Sequence, residues 1–122
     1  MVLGPLEGLS EKTRARKLIV HNPNLTLVRL TPGELKRVGE IVAGKLNRAQ
    51  AAVRIYIPLQ GFSFPDREGL PHWEPEGNRQ FIDALKDNLN DSIMFTEVDA
   101  HVNDPEFMDV VVEAFFKMMG AG

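Results

Sequence analysis

Two hydrophobic periods take turns along this chain. Leu25 to Leu30 (LTLVRL) is rich in β-formers and partly alternating, which predicts a strand. From Thr31 the period lengthens: Leu35, Val38, Ile41, Val42 and Leu46 fall on one face of a helix, with Lys36, Arg37, Glu40 and Lys45 largely off it. Thr31-Pro32-Gly33-Glu34 marks its start. Thr31 caps, Pro32 suits the first helical position because its missing N–H has no partner there, and Glu34 completes a capping box. The helix is expected to end near Asn47–Gln50. Val53 to Ile57 is the next strand, and it breaks at Pro58-Leu59-Gln60-Gly61-Phe62-Ser63. The stretch from there to Glu76 is long for a loop in a compact domain, a length typical of functional or mobile segments. Phe62, Phe64 and Trp73 within it predict a packed lid, since disordered segments are poor in aromatics. Asn78 or a neighbour starts a second helix with Phe81, Ile82, Leu85 and Leu89 inward. Asn90-Asp91-Ser92 turns the chain into a strand from Ile93 to Val98. Asp104-Pro105 repeats the cap-plus-proline start, and Phe107, Met108, Val111, Val112, Phe115 and Met118 form a wide apolar stripe that ends at Gly120.

Strands alternating with helices predict an α/β domain: small, Rossmann-like and three-layered, with a mostly parallel sheet of unspecified strand order. Residues 1–15 read as an arm, with Gly and Pro among scattered apolar side chains such as Leu3, Leu6 and Leu9. Residues 16–122 read as a single α/β domain. Leu18-Ile19-Val20 is a short apolar run that stops at the turn His21-Asn22-Pro23-Asn24. Three strands are few for such a sheet, so further strands are expected from the N-terminal segment, a second subunit or a partner. In a parallel sheet the loops after the strands emerge on one edge, where ligands bind in open α/β folds. That edge would collect Thr31, Gly61, Ser63, Asp99, His101, Asn103 and Asp104.

Composition narrows the partners. The chain has 122 residues and a net charge of -3, with 43% hydrophobic and 25% charged residues, ordinary values for a soluble domain. Mild acidity disfavours non-specific nucleic-acid binding, which needs clustered Lys and Arg. The one basic patch, Lys12 to Lys17, reads as a solvated lead-in. There are no cysteines, which removes thiolate chemistry and fits a cytoplasmic setting. No apolar run approaches the roughly 20 residues that span a bilayer, and the N-terminus lacks the basic start and apolar core of a signal peptide.

The candidate chemistry is modest. Asp99, His101, Asn103 and Asp104 are the densest cluster of able side chains, suited to acid–base work or, in the bland reading, to turn and cap hydrogen bonds. Asp104 before Pro105 is the expected N-cap of the last helix. No metal is expected, because no His-x-x-x-His spacing exists and His21 or His72 would have to arrive through the fold. The Pro58 to Ser63 break offers backbone N–H groups and a hydroxyl to a phosphate, or is only a sharp turn. A Ser63 nucleophile lacks its elbow, since Pro65 stands where the second glycine would be. Trp73 and His72 close over a ring, or Trp73 anchors its loop. Arg29 pairs with an anion or lies at the surface. Whether the chain is an enzyme is left open.

Several of these residues also carry a resemblance. His21-Asn22-Pro23, Thr26 to Thr31 with Arg29, Pro58-Leu59-x-Gly61-x-Ser63-x-x-Asp66, and Asp99-x-His101-x-Asn103-Asp104-Pro105-x-Phe107 resemble the signature of an uncharacterised, ATP-binding-like family that includes the tomato mosaic virus resistance protein. The resemblance runs from about Arg16 to Met118. It implies the C-terminal one of two α/β domains in a chain about three times longer. The family's N-terminal half has a Gly-Thr…Asp-Thr-Lys loop suited to phosphates, and this chain has none. The expectation is therefore a ligand-binding module that supplies one wall of a site for ATP or another phosphorylated small molecule. A homo-oligomer or a partner chain carrying the N-terminal half would complete it. The alternatives are an assembly module without chemistry and a hydrolase-like enzyme using His101 and Asp99. Neither membrane nor nucleic acid is an expected partner.

Overall fold

The computed structural model describes residues 1–120. In order, it contains β1 (Val2–Leu3), a 3-10 turn (Leu6–Gly8), α1 (Glu11–Arg14), β2 (Leu18–Asn22), β3 (Leu25–Val28), α2 (Pro32–Leu46), β4 (Arg54–Pro58), α3 (Pro75–Asn88), β5 (Met94–Val98) and α4 (Pro105–Met118). Strands and helices are mixed, as the two periods predict.

The mostly parallel single sheet is corrected. Among the described residues the strands form two sheets: β1–β3–β2, antiparallel throughout, and the parallel pair β4–β5. The reason lies in Pro23-Asn24. Only these two residues separate β2 from β3, and so short a link closes a hairpin, whereas a parallel crossover needs a dozen residues or more. The parallel register Ile55↔Phe95, Tyr56↔Thr96, Ile57↔Glu97 is reached across α3, which is long enough. The N-terminal segment does supply a strand. Val2 and Leu3 pair with Leu27 and Thr26, and the Met1 ammonium donates to the Val28 carbonyl at 2.7 Å.

Helix α2 starts where the capping box predicts. Thr31 Oγ1 accepts from the Glu34 N–H and Glu34 Oε2 accepts from the Thr31 N–H at 2.9 Å. Its inward face is displaced from expectation. Val38 and Ile41 are exposed, while Gly39 and Ala43 are buried against α3. Gly39 is the closest point of approach: a Cβ there would lie 2.6 Å from the Phe81 carbonyl oxygen and 3.0 Å from the Ala84 Cβ. Backbones that meet this closely leave no room for a branched side chain, so the small residues turn inward. The core beside this contact is Ala43, Ile57, Ile82 and Leu85, with Phe62, Phe81 and Phe95 packed around it. Phe62 and Phe81 meet edge to face at 5.4 Å between ring centroids.

Helix α3 begins at Pro75, three residues before the expected Asn78, because proline again takes the first helical position. Asn78 instead lies buried in the first turn. Helix α4 buries Phe107 and Ala114, but much of its stripe, including Met108, Val112 and Phe115, faces outward.

Candidate functional site

Beyond Pro58 and Val98 the two chains continue side by side. Leu59 N–H donates to the Val98 carbonyl at 2.9 Å, Gln60 N–H to Ala100 at 3.0 Å, and Val102 N–H to Gly61 at 3.1 Å. The parallel pairing thus carries the two strand-end loops out together, and Gly61 and His101 meet. Gly61 sits at φ 120°, and a Cβ there would lie 1.6 Å from the Asp66 carbonyl oxygen and 2.9 Å from His101 Cδ2. Only glycine fits, on both counts.

His101 is fully buried. Its Nδ1 accepts from the Asn103 N–H at 3.1 Å, so the ring proton belongs on Nε2, which donates to the Ser63 carbonyl at 3.0 Å. Both ring nitrogens are occupied, and the imidazole is a strut between loops. Its own N–H donates to Asp104 Oδ2 at 2.9 Å, while Asp104 Oδ1 accepts from Arg67 Nη2 at 2.7 Å. The Arg67 guanidinium, then the His101 N–H, hold the Asp104 carboxyl below its ordinary value. Asp104 occupies the N-cap position of α4, yet its side chain makes no cap bond. The predicted cap is corrected: the carboxylate turns back to the loop, where a guanidinium competes for it.

Of the other predicted residues, Asp99 is exposed and accepts from Gln60 Nε2 at 3.0 Å. Ser63 is exposed and contributes its carbonyl to His101; Asn103 is exposed and contributes its N–H. Six of the seven therefore share one rim. Thr31 does not join them. Its hydroxyl serves the α2 cap, and it lines a separate recess of about 280 Å³ with Arg16, Lys17, Arg29 and Glu74.

The rim is braced by a buried polar lock that periodicity does not reveal. Asp66 is fully buried. Its carboxylate accepts from Phe62 N–H at 2.9 Å and from Asn78 Nδ2 at 3.0 and 3.2 Å, and it lies 3.7 Å from Arg29 Nη1. Arg29 also donates to Asn78 Oδ1. The long loop, β3's end and the start of α3 are thereby tied at one point. The signals for this in the sequence are Asp66 and Arg29 in the family signature and the reading of Arg29 as the partner of an anion; of the loop aromatics expected to pack as a lid, Phe64 is 77% exposed. Nearby His72 is buried with Nε2 unpartnered, and burial, then the charge of Arg29, pushes its pKa down.

Beside the rim opens a recess of about 560 Å³, lined by Leu59, Gln60, Arg67, Glu68, Trp73 and Pro75. It offers an indole, a guanidinium, an amide and the Glu68 carboxylate at the carboxyl end of β4, and none of the six rim residues lines it. Arg67 and Gln60 were not legible as site residues, since nothing about a lone Arg or Gln in a loop marks it. Among the described residues no group of three or more His, Asp and Glu side chains is placed to hold a metal.

The model of the C-terminal domain of the uncharacterised protein family UPF0261 matches residues 1–119. The chain belongs to the UPF0261 family. A UPF0261 protein of Clostridium tetani is 33% identical over 117 residues, covering 95% of this chain and 29% of the relative. One from Brucella suis is 34% identical over 116 residues, covering 95% and 28%. The ToMV resistance protein Tm-1(GCR237) of Solanum lycopersicum is 30% identical over 117 residues, covering 94% and 16%. The chain thus spans less than a third of the curated UPF0261 relatives it matches. The matched segment includes both strand-end loops and the Asp66 lock, so the rim is a UPF0261 segment as a whole. Among the described residues no helix is long and apolar enough to cross a membrane.

Proposed function

We propose that this UPF0261 segment is a ligand-binding module, contributing one wall of a site for ATP or another phosphorylated small molecule. One observation carries the reading: the loop after β4, braced by its pairing with the loop after β5, lines a recess that joins an indole, a guanidinium, an amide and a carboxylate. Trp73 would stack on a planar ring, Arg67 would exchange Asp104 for a phosphate oxygen, and Gln60 would orient the ligand. The wall is half a site. No glycine-rich phosphate loop lies in this chain, and the relatives carry more than two-thirds of their length outside the matched segment. A second segment of polypeptide, in the same chain or a partner, supplies the rest. In that completed form the β4–β5 pair belongs to a larger Rossmann-like, three-layered sheet, in a cytoplasmic protein.

The hydrolase-like reading has less support, because His101 has no free ring nitrogen. Assembly through the N-terminal leucines also has less, since Leu3 and Leu9 are half-buried and β1, at the edge of its sheet, is only two residues long.

Calorimetric titration tests the half-site. ATP with Mg²⁺ should bind this chain weakly or undetectably. An equimolar mixture with the remaining segment of the Clostridium tetani relative should bind it measurably, and Arg67→Ala in this chain should weaken that binding about tenfold or more, the value of a charge-assisted hydrogen bond. Tight binding by the chain alone refutes the half-site, and a mixture indifferent to Arg67→Ala refutes the assigned wall.

A further inference from the structure

Helix α4 carries two apolar rows, offset by one residue. The inner row, Phe107, Val111 and Ala114, packs against the domain, with Phe107 and Ala114 only 6% and 7% exposed. The outer row is Met108, Val112 and Phe115, continued by Met119 at the C-cap, at 51%, 42%, 57% and 68% exposure. Its spacing of four, three and four residues is the seam along which two helices interlock. An isolated exposed apolar side chain is ordinary, but a continuous row of large ones marks an interaction surface. The row is neither part of the ligand recess nor near the N-terminal leucines in sequence.

We infer that this face of α4 docks on the same face of a second copy of the chain, the two helices antiparallel. Three observations select that occupant. The seam is self-complementary when reversed: Met108 stands opposite Met119 of the partner subunit, and Val112 opposite Phe115 of the partner subunit, so one two-fold axis satisfies every position. Charge selects the direction. Glu106, Asp109 and Glu113 run along α4, and its one base, Lys117, is already paired with Glu113. Antiparallel pairing opposes the helix dipoles and carries the two acidic first turns to opposite ends of the seam, whereas parallel pairing stacks acid on acid. The area suffices. With Phe116 included, the exposed parts of these side chains amount to on the order of 500 Å² per copy, given 150–250 Å² for an aromatic side chain. A pair then buries about 1,000 Å², the lower limit for a specific interface.

Sedimentation velocity over a concentration series tests the pairing. The chain should sediment as a reversible dimer of twice 13.7 kDa. Phe115→Glu should shift it to monomer with its far-ultraviolet circular dichroism unchanged. Met119→Glu, at the fraying end of the helix, gives the same test if the first variant misfolds. Because the chain has no cysteine, register can be read directly. Mixed Val112→Cys and Phe115→Cys proteins should form an intermolecular disulfide under mild oxidation more readily than either alone. A monomer at all concentrations overturns the inference, even if it binds the remaining segment of a longer relative. So does association that survives both glutamate variants, or cross-linking that favours Val112→Cys with itself.

Discussion

His101 Nε2 lies 3.0 Å from the Ser63 carbonyl oxygen, and this one bond ties the loop after β5 to the loop after β4. The ring is fully buried and its other nitrogen takes the Asn103 N–H. Replacing it leaves a carbonyl and an N–H without partners, next to a cavity. His101→Ala should therefore destabilise the chain by about 2–4 kcal/mol in urea denaturation. The Asn103 amide should also lose protection from hydrogen exchange. A variant as stable as the parent would show that the ring is not the strut described.

Gly61 faces a harder limit. An added methyl would sit 1.6 Å from the Asp66 carbonyl oxygen, which is backbone and cannot swing aside, and the φ of 120° is itself unfavourable for an L side chain. Gly61→Ala should cost several kcal/mol, on the order of the whole stability of a marginal domain. Soluble, cooperatively unfolding Gly61→Ala protein would contradict this backbone path.

Asp66 stands against Arg29 and Asn78 without solvent. Removing the carboxylate strands the guanidinium and the amide, a loss of about 3–5 kcal/mol for a buried pair. Asp66→Ala should show this, and Asp66→Asn, which keeps an acceptor for the Phe62 N–H, should lose less. Combining Asp66→Ala with Arg29→Met should be milder than the sum, with a coupling of about 1 kcal/mol or more. Simple additivity would mean that the two groups do not sense each other.

Acid should act in two stages. His72 is buried and its pKa lies below the ordinary 6.5 in the folded chain, through burial first and Arg29 second. The unfolded chain then binds the proton more readily, so stability is intact above pH 6.5 and falls as pH drops below it. Glu34 is held below 4.5, chiefly by the Arg16 guanidinium, and Asp104 below 3.8, chiefly by Arg67. Their contributions are present above those values and are lost as pH falls through the lowered folded values. Thermal melts from pH 8 to pH 3 should show both limbs, and His72→Leu should remove the first. A flat midpoint between pH 6.5 and 5 in the parent chain would contradict the His72 assignment.

Local chemistry, by itself, determined where α2 and α4 begin, because a capping box with a proline in α2, and the proline alone in α4, act within one turn. It also placed β4 and β5, and showed that Gly61, Ser63, Asp99, His101, Asn103 and Asp104 follow strand ends. The turn at His21-Asn22-Pro23-Asn24 is visible in the sequence, but that it closes an antiparallel β2–β3 hairpin shows only in the fold, where Pro23-Asn24 alone separate the strands. Other features were decided only when distant segments met. Gly39 and Ala43 displaced Val38 and Ile41 from the α2 interface because another backbone needed the space. Asp104 left its cap because Arg67, 37 positions away, competes for the carboxylate. His101 became a strut because the Ser63 carbonyl arrived beside its ring. Periodicity reports which face of an element is apolar; what that face, or a polar group at its end, touches depends on contacts far apart in the chain.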